Sequence, residues 1–97
     1  MKWAIVFYAI FNYPDGSGME EHISWGVTFG HHEQCIASYT NNKDLILHGI
    51  NTFAKNHYGQ EMTLMELGCA HAVANFDVQD SKPEVTLKMP LYRGQQT

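Results

Sequence analysis

Apolar residues dominate the first extended segment of the chain and occupy both of its alternating faces. Residues 2–13 are rich in Trp, Ile, Val, Phe and Tyr, the types that suit a packed, pleated surface. Alternation divides them between one face with Ala4, Val6, Tyr8 and Ile10 and another with Trp3, Ile5, Phe7, Ala9 and Phe11. The pattern predicts a strand that is buried on both sides.

A turn and a second alternating segment follow. Pro, Asp and two Gly between Pro14 and Gly18 form the strongest turn signal in the chain. Residues 21–29 then alternate, which predicts a half-buried strand and, with the first segment, an antiparallel hairpin. The predicted core side carries Ile23, Trp25, Val27 and Phe29, and the predicted solvent side carries His22, Ser24, Gly26 and Thr28.

After Gly30 the apolar residues recur at the spacing of a helix rather than that of a strand. The apolar positions are Cys35, Ile36, Tyr39, Ile46, Ile50 and Phe53, at spacings typical of one helical face. Thr40, Asn41 and Asn42 interrupt the pattern, because Thr and Asn compete for backbone hydrogen bonds. Residues 31–57 therefore form either one bent helix or a short helix followed by a longer one from about Asn42. Gly59 is expected to end it.

The third part of the chain allows two interpretations. Residues 61–74 fit either a helix opened by a capping box at Thr63 or a strand. We favour a strand, because Gly68 would weaken a helix interior. After a loop at 77–83, the residues from Glu84 to Met89 alternate again and predict a last strand. Pro90 cannot donate to a sheet ladder, so this strand should lie at an edge or stop there.

These elements predict a single α+β domain over residues 1–93, followed by a frayed tail at 94–97. An antiparallel sheet, built from the hairpin, the third strand and the possible fourth edge strand, packs one face on the long or bent helix. The helix should supply the apolar positions given above, and the sheet should supply Trp25, Val27, Phe29, Met65 and Leu67. One helix cannot cover both faces of the first strand. We expect its remaining face to be covered by the C-terminal segment or by another chain, which is the structural reason to expect a partner or a homo-oligomer.

Charge and length exclude several classes of function. The formal net charge is −4, and the basic residues are scattered rather than gathered in a stripe, which argues against nucleic-acid binding. The apolar run at the N-terminus is about half of what a bilayer requires. No small-residue cleavage site follows it, so we expect no membrane association and a cytoplasmic location.

The cysteines and histidines are the only candidates for special chemistry. In a reducing cytosol, Cys35 and Cys69 are expected to be free thiols that pack in one core, with a disulfide as the alternative. His31 and Cys35 share a helix face, and Cys69 and His71 share a strand face, so these four residues are candidate zinc ligands. Their spacing is not that of a zinc finger, and histidine–thiol pairs arise by chance in such a chain. We therefore predict no metal, no cofactor and no catalytic residue.

Over residues 2–74 the chain resembles small α+β proteins of phages and bacteria in size, acidity and order of elements. The resemblance rests on no motif and implies no activity. The leading expectation is a non-catalytic protein-interaction module that binds a protein partner or self-associates, and a viral accessory or structural protein would fit it. The alternatives are a small α+β enzyme or ligand binder with a pocket lined by Cys and His, and a zinc-stabilised domain.

Overall fold

The computed structural model describes residues 2–74 and 83–94, of which Lys2 is described by its backbone alone. The elements, in chain order, are β1 (Lys2–Asn12), β2 (Met19–Phe29), α1 (His32–Asn41), α2 (Lys43–Tyr58), β3 (Thr63–Ala74) and β4 (Glu84–Arg93). The strands form one antiparallel sheet in the order β2-β1-β3-β4. The predicted α+β class is confirmed.

The hairpin turn between β1 and β2 forms as the Pro-Asp-Gly sequence predicts. The backbone N–H of Ser17 donates to the Asp15 carboxylate at 2.9 Å, and Gly16 adopts φ 76°. The N–H of Tyr13 donates to the carbonyl of Gly18 at 3.0 Å, which closes the turn. The turn chemistry thus places β2 beside β1.

The helical segment is two helices rather than one bent helix. Asn42 lies between α1 and α2 with φ −132°, and its side-chain amide donates to the carbonyl of Ser38 at 3.0 Å. The backbone N–H of Asn42 donates to the carbonyls of both Ser38 and Tyr39, a shared bond that is common at helix ends, so α1 ends there and α2 begins at Lys43. Gly59 ends α2 at φ 71°, and its N–H donates to the carbonyl of Lys55 at 3.0 Å.

The main core lies between the helices and the two central strands. Its β1 residues are the predicted odd-numbered set, Ile5, Phe7, Ala9 and Phe11. The helices contribute Cys35, Tyr39 and Ala54 as buried residues, while Ile36, Ile46 and Ile50 are half-buried against the core. Strand β3 confirms the strand interpretation of 61–74 and contributes Leu64, Leu67 and Cys69. Met65 lies at a register shift in β3 and is half-buried.

The predicted faces of β2 are confirmed at Thr28 and Phe29 and are wrong for residues 22–24. Phe7 pairs with Ser24, whereas the preceding residue Val6 pairs with Thr28, so residues 25–27 form a bulge in β2. The bulge breaks the period of two and turns His22 and Ser24 towards the helices. Val27, which was expected in the core, is 54% exposed, and Trp25 is half-buried at the bulge.

The middle of the outer face of β1 is covered by the same chain, and Ala4 and Ile10 towards its ends are half-buried. Val6 and Tyr8 are fully buried on that face. The Nζ of Lys88 in β4 lies 5.4 Å from the centre of the Tyr8 ring and 2.6 Å from the Glu21 carboxylate in β2. In a flat sheet these edge strands would be three spacings of about 4.8 Å apart. Contact between their side chains therefore shows that the sheet curls over its outer face. Of the two expected covers, the C-terminal segment is the one observed.

The C-terminal strand extends further than predicted. β4 is an edge strand, as Pro90 indicated, but it continues past the proline to Arg93. The N–H of Gly94, which we assigned to the frayed tail, donates to the carbonyl of Met65 at 2.7 Å. The rest of that tail, 95–97, and all of the predicted loop except Pro83 lie outside the described residues. Neither helix in the described ranges is long and apolar enough to cross a membrane.

Candidate functional site

Helix α2 is packed loosely on the sheet. Ala54 is the one α2 residue that is fully buried, and Ile46, Ile50 and Phe53 on the same side of the helix are half-buried. The bulge of β2 faces this side. The space between them is therefore incompletely filled, although the surrounding side chains are apolar.

This space is a groove of about 610 Å³, which we call the α2–β2 groove. Phe7 contributes from β1, and its ring packs edge-on against Phe29 at 5.5 Å between centres. Most of the other side chains are aliphatic or aromatic, as in ligand sites in general. The groove is lined by Phe7, His22, Ile23, Ser24, Trp25, Gly26, Val27, Ile46, Gly49, Ile50 and Phe53.

His22 is the one ionisable side chain among the described residues that line the groove. The centre of its ring lies 4.3 Å from the centre of the Phe53 ring. The ring of His57 is stacked on the same Phe53 ring, with 5.0 Å between their centres. Burial, and to a lesser extent the neighbouring His57, lowers the pKa of His22 below its ordinary value of 6.5. His22 is therefore mainly neutral at pH 7. One nitrogen of its neutral ring can donate a hydrogen bond and the other can accept one.

The outer face of the sheet carries a second group of polar residues. The Tyr8 hydroxyl donates to the Glu66 carboxylate at 2.6 Å, and Nε of Arg93 lies 3.5 Å from the other carboxylate oxygen. Burial and the bond to Glu66 raise the pKa of the Tyr8 hydroxyl well above its usual range. Because Tyr8 is thereby held protonated and both oxygens of Glu66 are engaged, we interpret this group as structural.

The two cysteines are joined in a disulfide, so the prediction of two free thiols is wrong. Cys35 of α1 and Cys69 of β3 are fully buried and bonded, with their Cα atoms 6.2 Å apart. That separation lies within the range that a disulfide requires. The expected placement in one core is confirmed, and the alternative bond is the one observed.

The four candidate zinc ligands are not brought together as a set. Both sulfurs are in the disulfide, His31 is exposed at the start of α1, and His71 stacks on Trp3 at 5.3 Å between ring centres. Across residues 2–74 and 83–94, no three His, Cys, Asp or Glu side chains are grouped as metal ligands would be. A zinc-stabilised fold built on Cys35 and Cys69 would require this bond to be broken.

The groove was missed at the sequence level because its position depends on the bulge. Strict alternation placed His22 towards solvent and Val27 in the core, whereas in the structure His22 faces the helices and Val27 lines the open groove at 54% exposure. One signal was present: Gly26 interrupts the strand pattern, and an isolated glycine inside a strand often marks a bulge.

Comparisons of the chain with known protein families, with curated proteins and with solved structures found no match. The assignment of a function therefore rests on the geometry of the α2–β2 groove.

Proposed function

We propose that this protein is a small non-catalytic interaction module that binds a protein partner through the α2–β2 groove. The observation that carries the proposal is an apolar groove left open within a folded chain, between a helix with one fully buried residue and the bulge of an edge strand. Exposed apolar surface of this kind is a common mark of an interaction site.

Two features favour a polypeptide as the occupant. A volume of about 610 Å³ admits large side chains without a conformational change. Strand β2 is also an edge strand of the described sheet, so one row of its backbone groups is not used in the ladder. An extended segment can pair with such an edge and place alternate side chains on the helix side.

The groove changes the expectation about self-association. The middle of the outer face of β1 does not require a second chain, because Val6 and Tyr8 are covered within one chain. We therefore favour a different protein as the partner, with a homo-oligomer through the same groove as the second form. A viral accessory or structural protein remains compatible with either form.

The cellular location is part of the same proposal. The cytoplasmic location inferred from the sequence stays a prediction, and the buried Cys35–Cys69 disulfide argues against it. Disulfides form and persist mainly in oxidising compartments, so the bond favours a periplasmic, extracellular or surface setting.

Selection of peptides on matched variants tests the proposal. A random peptide library displayed on phage is selected against the wild-type protein, and the enriched peptides are measured against Val27→Glu and Leu45→Glu. Val27 lines the groove and is 54% exposed, whereas Leu45 is 73% exposed on α2 outside the lining, so both changes place a charge at a surface position. We expect at least tenfold weaker binding to Val27→Glu and unchanged binding to Leu45→Glu. Equal binding to both variants would contradict the proposal.

A small-ligand binder is the second candidate, because the groove is a pocket between helix and sheet that contains a histidine. Neither cysteine lines it, so only the histidine part of the expected Cys/His pocket is present. Native mass spectrometry of the purified protein would show a retained small molecule if this candidate were correct. A spectrum that shows only the mass of the protein, with no bound molecule, would favour peptide binding.

A further inference from the structure

We propose that the α2–β2 groove selects a partner segment in which a carboxylate lies beside a large apolar side chain. The inference rests on the proposed function and specifies the chemistry of the partner. The apolar side chain enters the groove between α2 and the bulge, and the carboxylate meets His22 and His57.

The walls of the groove determine that the partner supplies a large apolar side chain. Trp25 and Val27 come from the bulge, and Ile50 and Phe53 come from α2. A polar side chain placed between them would lose its hydration without gaining hydrogen bonds, so the groove favours an aromatic or aliphatic group.

The two histidines determine that the partner supplies a carboxylate. The His22 and His57 rings are 6.1 Å apart between centres, on the same side of the sheet, and both contact the ring of Phe53. These two rings can both donate hydrogen bonds to one anion once they carry protons. In that protonated state a cation at this place would meet two groups of its own sign, so the arrangement then favours an acid over a base.

The other groups that face His22 do not supply a competing cation. On β2 the nearest acid on the helix side is Glu20, whose carboxylate accepts a bond from the Tyr13 hydroxyl at 2.8 Å. Strand β1 presents Ala9 opposite His22, and α2 presents Phe53, His57 and Tyr58, the last edge-on to His57 at 4.8 Å. None of these neighbours is a cation and Glu20 is engaged by Tyr13, so the histidines are the groups among them that can offer a positive charge to an incoming carboxylate.

This geometry couples binding to proton uptake. In the free protein, burial keeps His22 mainly neutral at pH 7. A bound carboxylate favours the protonated ring, so the pKa of His22 is higher in the complex than in the free protein. The complex then binds more protons than its components, and affinity rises as the pH falls.

Three probes that share one tail test the inference: 4-phenylbutyrate, 4-phenylbutylamine and 4-phenyl-1-butanol. Each is titrated into the isotope-labelled full chain at about pH 6 and about pH 8, within the range where histidine changes charge, and followed by amide NMR shifts. We expect the butyrate to bind roughly tenfold more tightly at the lower pH, as a charge-assisted hydrogen bond implies, and to exceed the amine and the alcohol there.

A pair of variants assigns the effect to the histidine. His22→Phe retains an aromatic ring against Phe53 and removes the proton, whereas His48→Phe makes the same change at an exposed α2 position outside the groove lining. We expect His22→Phe to lose the preference for the acid and the dependence on pH, and His48→Phe to keep both, with thermal melts confirming that both variants are folded.

The outcomes separate the two proposals. If all three probes bind in the groove with equal affinity, the proposed binding groove stands and the preference for an acid is wrong. An acid preference that survives in His22→Phe would also overturn the inference, because it would arise elsewhere. If no probe shifts any amide of the groove, both proposals fall.

Discussion

Gly68 is the residue that allows β4 to lie close against β3 where the sheet curls. A Cβ placed on Gly68 would overlap the carbonyl oxygen of Met89 and lie 2.9 Å from the Cα of Pro90. These neighbours are backbone atoms, which cannot move aside as the end of a flexible side chain can. Glycine is required at position 68 because a side chain has no space there, and not because the backbone adopts a positive φ.

The first prediction follows from this close approach. Gly68→Ala should lower the free energy of unfolding by about 2 kcal/mol, the cost of forcing an added methyl group into a packed site. Gly26→Ala is the matched control, because nothing lies within 4 Å of the added Cβ there. It should change stability by less than about 0.5 kcal/mol. Urea unfolding measures both, and equal stabilities for the two variants would show that β4 does not pack on Gly68.

His22 gives a second prediction at the residue scale. Its pKa in the folded protein is lowered from 6.5 by burial, so below that value the unfolded chain binds more protons than the folded one. The part of the stability that comes from neutral His22 is complete above about pH 6.5 and is lost as the pH falls through the folded-state pKa. His22→Phe should therefore show a smaller loss of stability on acidification than the wild type.

The exposed His48 provides the control for this measurement. His48→Phe should keep the pH dependence of the wild type, because His48 is exposed. Thermal melts of the three proteins between about pH 5 and pH 8 span the titration of histidine. Parallel curves for the wild type and His22→Phe would mean that the ring of His22 is not buried between β2 and α2.

At the scale of elements, the disulfide attaches α1 to β3. It joins residues 34 apart in the sequence and closes a loop that contains the part of α1 after Cys35 and all of α2. Because the bond is in the core, it also fixes which side of the sheet the helices occupy. Helix α2 has no such attachment and contributes one fully buried residue, which is consistent with a groove beneath it.

The third prediction concerns this bond. Replacing both Cys35 and Cys69 by Ala should cost roughly 4 kcal/mol, as the chain-entropy model gives for a loop of this length. That cost is a large share of the free energy of unfolding of a typical domain, which is about 5–15 kcal/mol. Thiol titration of the wild type in denaturant without reductant should find no reactive thiol. Two reactive thiols in protein expressed under oxidising conditions would contradict the assignment.

The elements themselves were largely predictable from local patterns. Both faces of β1, the break at Asn42 and the end of α2 at Gly59 each follow from a short-range signal that tertiary contacts do not override. The bulge at residues 25–27 was not predictable from alternation, because it depends on how β2 pairs with β1. The site was missed for the same reason: one register shift decides whether His22 faces water or the helices.

At the scale of the whole molecule, the curl of the sheet divides the surface into two unlike sides. On the outer side, Lys88 and Glu21 meet over Tyr8, the Tyr8 hydroxyl donates to Glu66, and a depression of about 520 Å³ remains beside Ile10 and Glu66. The helix side remains open at the α2–β2 groove. Neither the curl nor the distance between Cys35 and Cys69 could be obtained from sequence, since both depend on contacts between residues far apart in the chain.

Amide chemical-shift mapping of a complex with a selected peptide shows whether the partner binds in the α2–β2 groove, because it reports which side of the molecule the partner contacts. The peptide is one enriched on the wild-type protein and titrated into the isotope-labelled full chain. We predict that the largest shifts fall in residues 22–27 of β2 and 46–53 of α2. Shifts concentrated instead around Glu66 and Arg93 on the outer face, with the groove unchanged, would contradict it.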